Sequence, residues 1–316
     1  FMNSGRYSGF VSDVFENNNM QSAINTVPLS TGYLDSKLLS YLGRLNYTFK
    51  DRYLFTATGR YDGSSKFGIN NKYAFFPSAA FAWRVSEENF MDNVTWVNSL
   101  KLRTSIGQVG NQAISPYQTL DRLTTNTAVF GSGESVGFVA SGFSNESLKW
   151  ETTTQTDVGI DLSFLDSRFN IVLDYYHKKT TDLLYNATLP PSSGYSSSTR
   201  NVGEIENKGL EFDLSYKNLE GAVKWNSSIN MTFNRSKVVD LGKDNNGNVI
   251  ERIDSPIAGG NWFPLFKDNA PFQLFGYELD GIYQTDAEAA VLEPGKKAGD
   301  YRIVDINDDG IINGED

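Results

Sequence analysis

The sequence of 316 residues contains no cysteine, so disulfide bonds and thiolate metal sites are excluded. It also lacks an excess of basic residues, because 28 Lys and Arg stand against 38 Asp and Glu and the net charge is −10. A protein that binds nucleic acid needs a basic surface, so this composition argues against DNA or RNA as a partner. No apolar run approaches the roughly 18 residues that a membrane-spanning helix requires.

What the sequence does contain is a regular alternation of apolar and polar residues, which is typical of β-strands. In "LLSYLGRLNYTF" the residues Leu39, Tyr41, Leu45 and Tyr47 fall on one face, whereas Ser40, Arg44, Asn46 and Thr48 fall on the other. The same pattern recurs at 52–62, 73–85, 99–108, 150–164, 169–177, 210–217 and 223–234. The sequence therefore predicts an all-β protein with about eight antiparallel strands between residues 38 and 238.

Two architectures are compatible with this alternation. In a soluble β-sandwich the apolar face is the core, whereas in a transmembrane β-barrel it contacts lipid and the polar face lines the lumen. Strands of about 9 to 17 residues are longer than the usual 5 to 6 and favour the barrel. Aromatic residues near the strand ends, as in the girdles of outer-membrane barrels, favour it too. These are Tyr47, Tyr53, Tyr61, Tyr73, Trp150 and Tyr216.

The lengths of the connections predict the topology. Short turns at Lys50-Asp51, 165–168 and 218–221 alternate with long loops at 108–147, about 180–205 and 239 onward. This is the pattern of an up-and-down outer-membrane barrel with short periplasmic turns and long extracellular loops. Pro77 interrupts one strand and predicts a bulge, because proline cannot donate to the ladder. We expect an extracellular loop region at 1–37, barrel strands at 38–238 and an extracellular loop at 239–316.

Several stretches carry a family resemblance. They include "KDRYLFTATGRYDGSSKFG", "KYAFFPSAAFAWRVSEENF", "LKWETTTQTDVGIDLSFL" and "GDYRIVDINDDGIINGED". These resemble SusC/RagA-like TonB-dependent receptors, in order over most of residues 35–316. The resemblance implies a location in the bacterial outer membrane and contact with its lipid. It also implies a SusD-like surface lipoprotein as partner and coupling to TonB through a segment N-terminal to this sequence.

The resemblance further implies that this sequence is a fragment from the later part of a large, plugged barrel. About eight strands do not close a barrel of the 22-stranded type, so the barrel is expected to be open in this fragment. The plug and the closing strands are expected to lie outside it. The implied function is import of an oligomeric nutrient, a glycan first and a peptide second. An outer-membrane adhesin or hydrolase without a plug is the alternative.

The C-terminal stretch "DINDDGIINGED" fits the pattern of a calcium-binding loop. Asp305, Asn307 and Asp309 supply oxygen ligands at positions 1, 3 and 5, and Gly310 allows the sharp turn. Ile311 offers its carbonyl, and Asn313 and Asp316 occupy positions 9 and 12. Aspartate at position 12 is shorter than the usual glutamate, and "GDYRIV" upstream predicts an extended segment rather than a helix. The alternative is an Asx-rich turn without Ca²⁺.

Two other sets of residues are candidates for function. Trp262, Phe263 and Phe266 lie in "GNWFPLFKDNAPF", where they either stack on sugar rings of a substrate or pack the loop. A hydrolase dyad is imaginable from His177 and Asp174, but their opposite parity places them on opposite faces of the sheet. Because no nucleophile, base and orienting group cluster in the sequence, we expect no enzymatic activity.

Overall fold

The computed structural model describes residues 2–8, 25–131, 133–189, 191–195, 197–220, 222–244, 247–254 and 263–312. Its main element is one antiparallel sheet of eight strands, each paired with its neighbours in the order of the sequence. The strands are β1 (Leu38–Phe49), β2 (Tyr53–Ser64), β3 (Tyr73–Arg84), β4 (Val97–Asn111), β5 (Glu151–Phe164), β6 (Phe169–Thr181), β7 (Glu204–Glu220) and β8 (Lys224–Asp240). The predicted succession of about eight strands is confirmed. A sandwich, which needs two packed sheets, is excluded for this part of the chain.

The register divides the sheet into two chemically different faces, because cross-strand partners lie on the same side. One row of partners on the first face consists of Tyr53, Trp83, Leu102, Ile160 and Leu173. The adjacent row, on the second face, consists of Leu54, Ala82, Arg103, Gly159 and Asp174. We call these sides the apolar face and the polar face.

Aromatic rings bound the apolar face at both ends. Near the short turns, Trp96, Phe164, Phe169 and Tyr216 form a chain with ring centroids 4.2 to 6.3 Å apart. Toward the long loops, Tyr61 stacks on Tyr73 at 5.3 Å. Tyr53 and Tyr61 are separated on β2 by about 26 Å at the usual strand rise, close to the roughly 25 Å apolar band of outer-membrane barrels. Leu45 and Phe55 lie between these ends and are exposed.

Tight connections close one end of the sheet, as predicted. Lys50 and Asp51 both have positive φ, and the Arg52 N–H donates to the Phe49 carbonyl at 3.1 Å. Positive φ at both central residues matches the right-handed twist of the paired strands. The connection 165–168 is also a turn, closed by the Arg168 N–H donating to the Leu165 carbonyl at 3.1 Å. The longer connection between β3 and β4 contains the 3₁₀ helices Val85–Glu87 and Asn89–Met91.

Three details differ from the sequence-based expectations. The turn predicted at 218–221 lies later, because β7 continues to Glu220 and β8 begins at Lys224. The bulge predicted at Pro77 is absent, since the β2–β3 register continues through this residue. The β3–β4 ladder begins only at Ser78, so no partner strand on that side needs an N–H from Pro77.

The third difference concerns Trp150, which does not belong to the lipid-facing girdle predicted for it. Its side chain is buried against Phe67 and Phe76, with ring centroids 5.1 and 5.6 Å away. The indole N–H donates to the Lys72 carbonyl at 3.1 Å. Because β5 begins only at the next residue, strand alternation no longer fixes the direction of this side chain, and the loop cluster buries it.

The long connections contain small hairpins of their own. Within residues 1–202, these pair Met2–Ser8 with Asn25–Gly32, Arg122–Phe130 with Gly133–Gly142, and Leu184–Thr188 with Ser197–Asn201. The 3₁₀ helix Pro191–Ser193 lies inside the third of these connections. Each of these hairpins is a two-stranded sheet separate from the eight-stranded one.

The chain divides into two compact units, one formed by 1–202 and 208–233 and the other by 203–207 and 234–316. The second unit contains two hairpins, Arg252–Ile253 with Leu265–Phe266 and Leu279–Ile282 with Tyr301–Ile303, and the helix α1 (Asp286–Leu292). Thr285 caps α1 by accepting from the Glu288 N–H at 3.1 Å. Burial raises the pKa of Tyr283 to about 12, and its hydroxyl donates to Glu293 at 2.9 Å. No helix in the described residues has the length and apolar character needed to cross a bilayer.

Introducing a charge at two consecutive residues of β1 should change the unfolding free energy by different amounts, because the two side chains lie on opposite faces of the sheet. Leu45 pairs with Ala57 midway along the apolar band, whereas Asn46 lies on the polar face beside Thr56. In the full-length receptor, Leu45→Arg should lower the unfolding free energy by roughly 2–4 kcal/mol, because it places a cation at the lipid midplane. Asn46→Arg should change it little. Urea unfolding in lipid vesicles measures both, and an equal loss from the two substitutions would contradict the assignment of faces.

Candidate functional site: the polar face

A network of charged side chains crosses three strands of the polar face. Arg103 on β4 lies between two carboxylates, donating to Asp161 at 2.8 Å and to both oxygens of Asp174 at 2.9 and 3.0 Å. Lys101 donates to the other oxygen of Asp161 at 3.1 Å. The paired charges are about one-third exposed or less, so solvent screens them only in part. The network therefore ties β4, β5 and β6 together on this face.

Gly159 makes this arrangement possible. It lies between Arg103 and Asp174 in the same cross-strand row. A Cβ atom at this position would stand 2.1 Å from the Asp174 carboxylate and 2.8 Å from the Arg103 guanidinium. Only a residue without a side chain leaves room for an arginine to reach across the middle strand to a carboxylate on the next one.

Other polar residues continue the same face. Asp157 accepts from Ser105 at 3.0 Å and from Gln155 at 2.8 Å, and Arg60 pairs with the buried Asp62 at 2.8 Å. Arg44 donates to Thr58 at 3.2 Å, and Arg84 is the cross-strand partner of Lys101. Glu211 lies two residues from Gly209, over which the Tyr176 ring packs. The register thus places the charged residues of several strands on one face, namely Arg44, Arg60, Arg84, Asp157, Asp161 and Asp174.

The connection between β3 and β4 is anchored through Glu88. Its carboxylate accepts from the Tyr53 hydroxyl at 2.6 Å, the Trp83 indole at 3.0 Å and the Arg52 guanidinium at 2.9 Å. The hydrogen bonds from Tyr53 and then from Trp83 are the main reasons that the pKa of Glu88 is lowered. Glu88 thus remains ionised and links the short-turn end of β2 to that of β3.

His177 and Asp174 do not form a dyad. Asp174 is the partner of Gly159 on the polar face, whereas His177 is the partner of Thr156 on the apolar face. The two side chains therefore lie on opposite faces of the sheet, as the sequence predicts.

The structure describes four of the six residues proposed for a calcium loop. Asp305 accepts from the N–H groups of Asp309 at 3.2 Å and Gly310 at 2.8 Å, and Asn307 accepts from the Asp309 N–H at 3.0 Å. Asp309 accepts from the Ile311 N–H at 2.8 Å. The preceding strand Tyr301–Ile303 is extended, as predicted. Asn313 and Asp316 lie outside the described residues.

The aromatic candidates are less uniform than the sequence indicates. Phe266 packs on Phe275 at 5.4 Å, and the Arg252 guanidinium lies over both rings at 5.4 and 4.6 Å. Phe263 is half-buried, and Trp262 lies outside the described residues. These contacts show how Phe266 packs its own loop. Within the described residues, no three His, Cys, Asp or Glu side chains form a group that could hold a metal ion.

A sheet with an aromatic-bounded apolar band on one face and an ion-paired network on the other is the wall of a transmembrane β-barrel. The TonB dependent receptor-like, beta-barrel family matches residues 2–307. The chain belongs to this family, and its place is the bacterial outer membrane. The sequence-based identification as a SusC/RagA-like receptor is therefore confirmed.

Individual relatives agree with the family assignment. The chain is 36% identical to TonB-dependent receptor P3 of Formosa agariphila over 99% of its own length and 32% of that protein's. It is 34% identical to TonB-dependent receptor SusC of Bacteroides thetaiotaomicron, over 88% of this chain and 28% of that protein. The chain thus spans about a third or less of the length of these relatives.

Solved structures show the same fold. The RagAB peptide transporter superposes with a TM-score of 0.72 at 24% sequence identity, covering 84% of this chain and 28% of the matched chain. The RagAB peptide importer in its closed-closed state gives 0.72 at 23% identity, over 90% of this chain and 30% of the matched chain. This likeness concerns the architecture of the barrel wall.

Replacing Gly159 with alanine tests the role of this glycine. The added methyl group forces apart Arg103 and Asp174, so Gly159→Ala should destabilise the receptor by about 1–2 kcal/mol, a value reduced for partial exposure. Gly43→Ala is the matched control, because a Cβ atom there meets nothing within 4 Å. The measurement is the urea concentration at the unfolding midpoint of each variant. A control that is destabilised as much as Gly159→Ala would mean that strand glycine itself, and not the ion pair, is responsible.

Proposed function

We propose that this chain is the barrel portion of an energy-coupled importer of oligomeric nutrients. The observation that carries the proposal is the two-faced sheet. Its exposed apolar band suits lipid, and its network of Lys101, Arg103, Asp161 and Asp174 suits a water-filled lumen or a plug surface. A wall of this type gives a hydrophilic cargo a polar surface along its path.

The cargo that we propose is a glycan first and a peptide second, following the resemblance to SusC/RagA-like receptors. A SusD-like surface lipoprotein is the proposed partner on the outside. TonB is the proposed energy source, acting through a segment N-terminal to this chain. The long loops at 112–150 and 182–203 are proposed to face the outside, where they meet cargo and lipoprotein.

The alternative is an adhesin or a hydrolase built on a barrel. The relatives are TonB-dependent receptors by name, which supports the importer. A hydrolase needs a nucleophile, a base and an orienting group within hydrogen-bond reach. The opposite faces of His177 and Asp174 remove the pair that comes nearest to this requirement in sequence.

Uptake by cells carrying the full-length receptor tests the proposal. Fluorescent oligosaccharides and oligopeptides should enter the periplasm only when the receptor is present, and a protonophore should abolish entry. A receptor in which the proposed TonB-contacting segment is deleted serves as the control. Uptake that persists with the protonophore would contradict energy coupling. Cleavage of the label-bearing oligomer by purified receptor would favour the hydrolase.

We also propose that the loop beginning at Asp305 binds Ca²⁺. The side-chain oxygens of Asp305, Asn307 and Asp309 are of the kind that Ca²⁺ prefers. Their hydrogen bonds to the N–H groups of residues 309–311 already curl the backbone around them. An Asx-rich turn makes the same bonds without Ca²⁺, so the metal itself has to be tested.

Limited proteolysis of the full receptor distinguishes these alternatives. If Ca²⁺ binds, cleavage after Tyr301 should be slower with calcium than with chelator, and Asp305→Ala should remove the difference. Asp308→Ala is the matched control, because Asp308 is not at a ligand position of the motif. Barrel stability should be unchanged in both variants, since the sheet ladder does not include this loop. Equal cleavage rates with calcium and with chelator would mean that the loop is an Asx turn only.

A further inference from the structure

A polar cavity of about 280 Å³ lies between two long loops at the end of the sheet opposite the short turns. One wall comes from the loop 112–150 and the other from the hairpin Leu184–Thr188 with Ser197–Asn201. Its lining includes Gln118, Arg122, Phe143, Asn186, Tyr195 and Ser198.

Hydrogen bonds between the loops hold this cavity in shape. Asn145 donates to the Thr199 carbonyl at 2.9 Å, and the Thr199 hydroxyl donates to Gln118. Asn201 exchanges two hydrogen bonds with the backbone of Lys149, at 2.9 and 2.8 Å. The Phe143 and Tyr195 rings meet edge to face across the gap, with centroids 5.7 Å apart. The two walls are therefore fixed relative to each other.

Two polar groups at this cavity are buried without a hydrogen-bond partner among the described residues. They are the Nε of Arg122 and the hydroxyl of Ser198, a residue that is 2% exposed. Leaving such groups unpaired lowers the stability of a protein, so two of them beside one cavity make it the candidate site for a polar ligand. Among the described side chains that line the cavity, Arg122 is the only charged one, and it forms no ion pair with another described residue.

The lining indicates the chemistry of the ligand. A guanidinium without a side-chain partner among the described residues favours a carboxylate, which it binds through two parallel hydrogen bonds. The remaining hydroxyl and amide groups match sugar hydroxyls, which both donate and accept, and Tyr195 offers a ring against which a sugar can lie. Apolar side chains in the lining are few, namely Ala140 and Phe143, which gives the side chains of a peptide little to bind.

We infer that this cavity is a binding subsite for a carboxylate-bearing sugar unit, a uronate, of an oligosaccharide. Arg122 binds the carboxylate, Ser198 accepts a hydroxyl hydrogen or donates its own, and Tyr195 packs on the ring. The inference rests on the proposed import function and specifies the class of its cargo. It concerns equilibrium binding at the loops and needs no energy coupling.

The test is equilibrium binding to purified full-length receptor in detergent, without TonB. The probes are tetragalacturonate, maltotetraose as a neutral oligomer of the same length, and tetraglutamate as an acidic peptide. Wild-type receptor should bind tetragalacturonate more tightly than either of the others. Arg122→Gln should weaken that binding about 10- to 100-fold, and Ser198→Ala about 3- to 10-fold.

Arg200→Gln is the matched control, because Arg200 is on the same hairpin but does not line the cavity. It should leave the affinity within about two-fold of wild type. Thermal unfolding of all variants at or above the wild-type temperature shows that the loops remain folded. Unchanged affinity of Arg122→Gln, an equal loss in Arg200→Gln, no binding of tetragalacturonate, or tighter Arg122-dependent binding of tetraglutamate would each overturn the inference. Failure of uptake with intact binding would instead count against the import function alone.

Discussion

The structure depends on one constraint, which is that a backbone in hydrocarbon has no water to bond with. Every N–H and C=O group in the apolar band must therefore be paired with a neighbouring strand. The continuous ladder from β1 to β8 meets this requirement within the sheet. Long strands, tight turns and regular register follow from it, because each interruption inside the band leaves polar groups unpaired. Pro77, which cannot donate to a ladder, lies just beyond the end of the β3–β4 ladder, where no N–H is required from it.

Once the ladder is fixed, alternation assigns each side chain to lipid or to lumen. This explains why charge can accumulate on one face without cost to the other. Arg103 is the clearest example. It reaches across Gly159 to Asp174, so that its guanidinium is paired within the sheet. The paired charges link neighbouring strands on the polar face. The same residues are excluded from the apolar face by the cost of placing a charge in lipid.

The eight strands, their order and their two faces were predictable because they are encoded by a period of two in the sequence. Family resemblance added the class of protein but not the contacts. The role of Gly159 was missed, although a glycine between Asp157 and Asp161 on a polar face is a signal for close approach. Trp150 was predicted wrongly because the alternation does not apply to the residue that precedes β5. The direction of its side chain is set there by tertiary contacts with Phe67 and Phe76.

The structure of the loops could not be predicted from the sequence, for the same physical reason that suits loops to recognition. Outside the band, water satisfies backbone groups, so no period is imposed and side chains need not alternate. Order there comes from individual long-range bonds such as those of Asn145 and Asn201, whose partners are about 50 residues away and invisible to a local pattern. A buried polar group left unpaired in such a frame, like the Ser198 hydroxyl, lowers stability without any gain to the fold. A binding function is the gain that offsets this loss, because the free protein then holds in advance the geometry that its ligand requires.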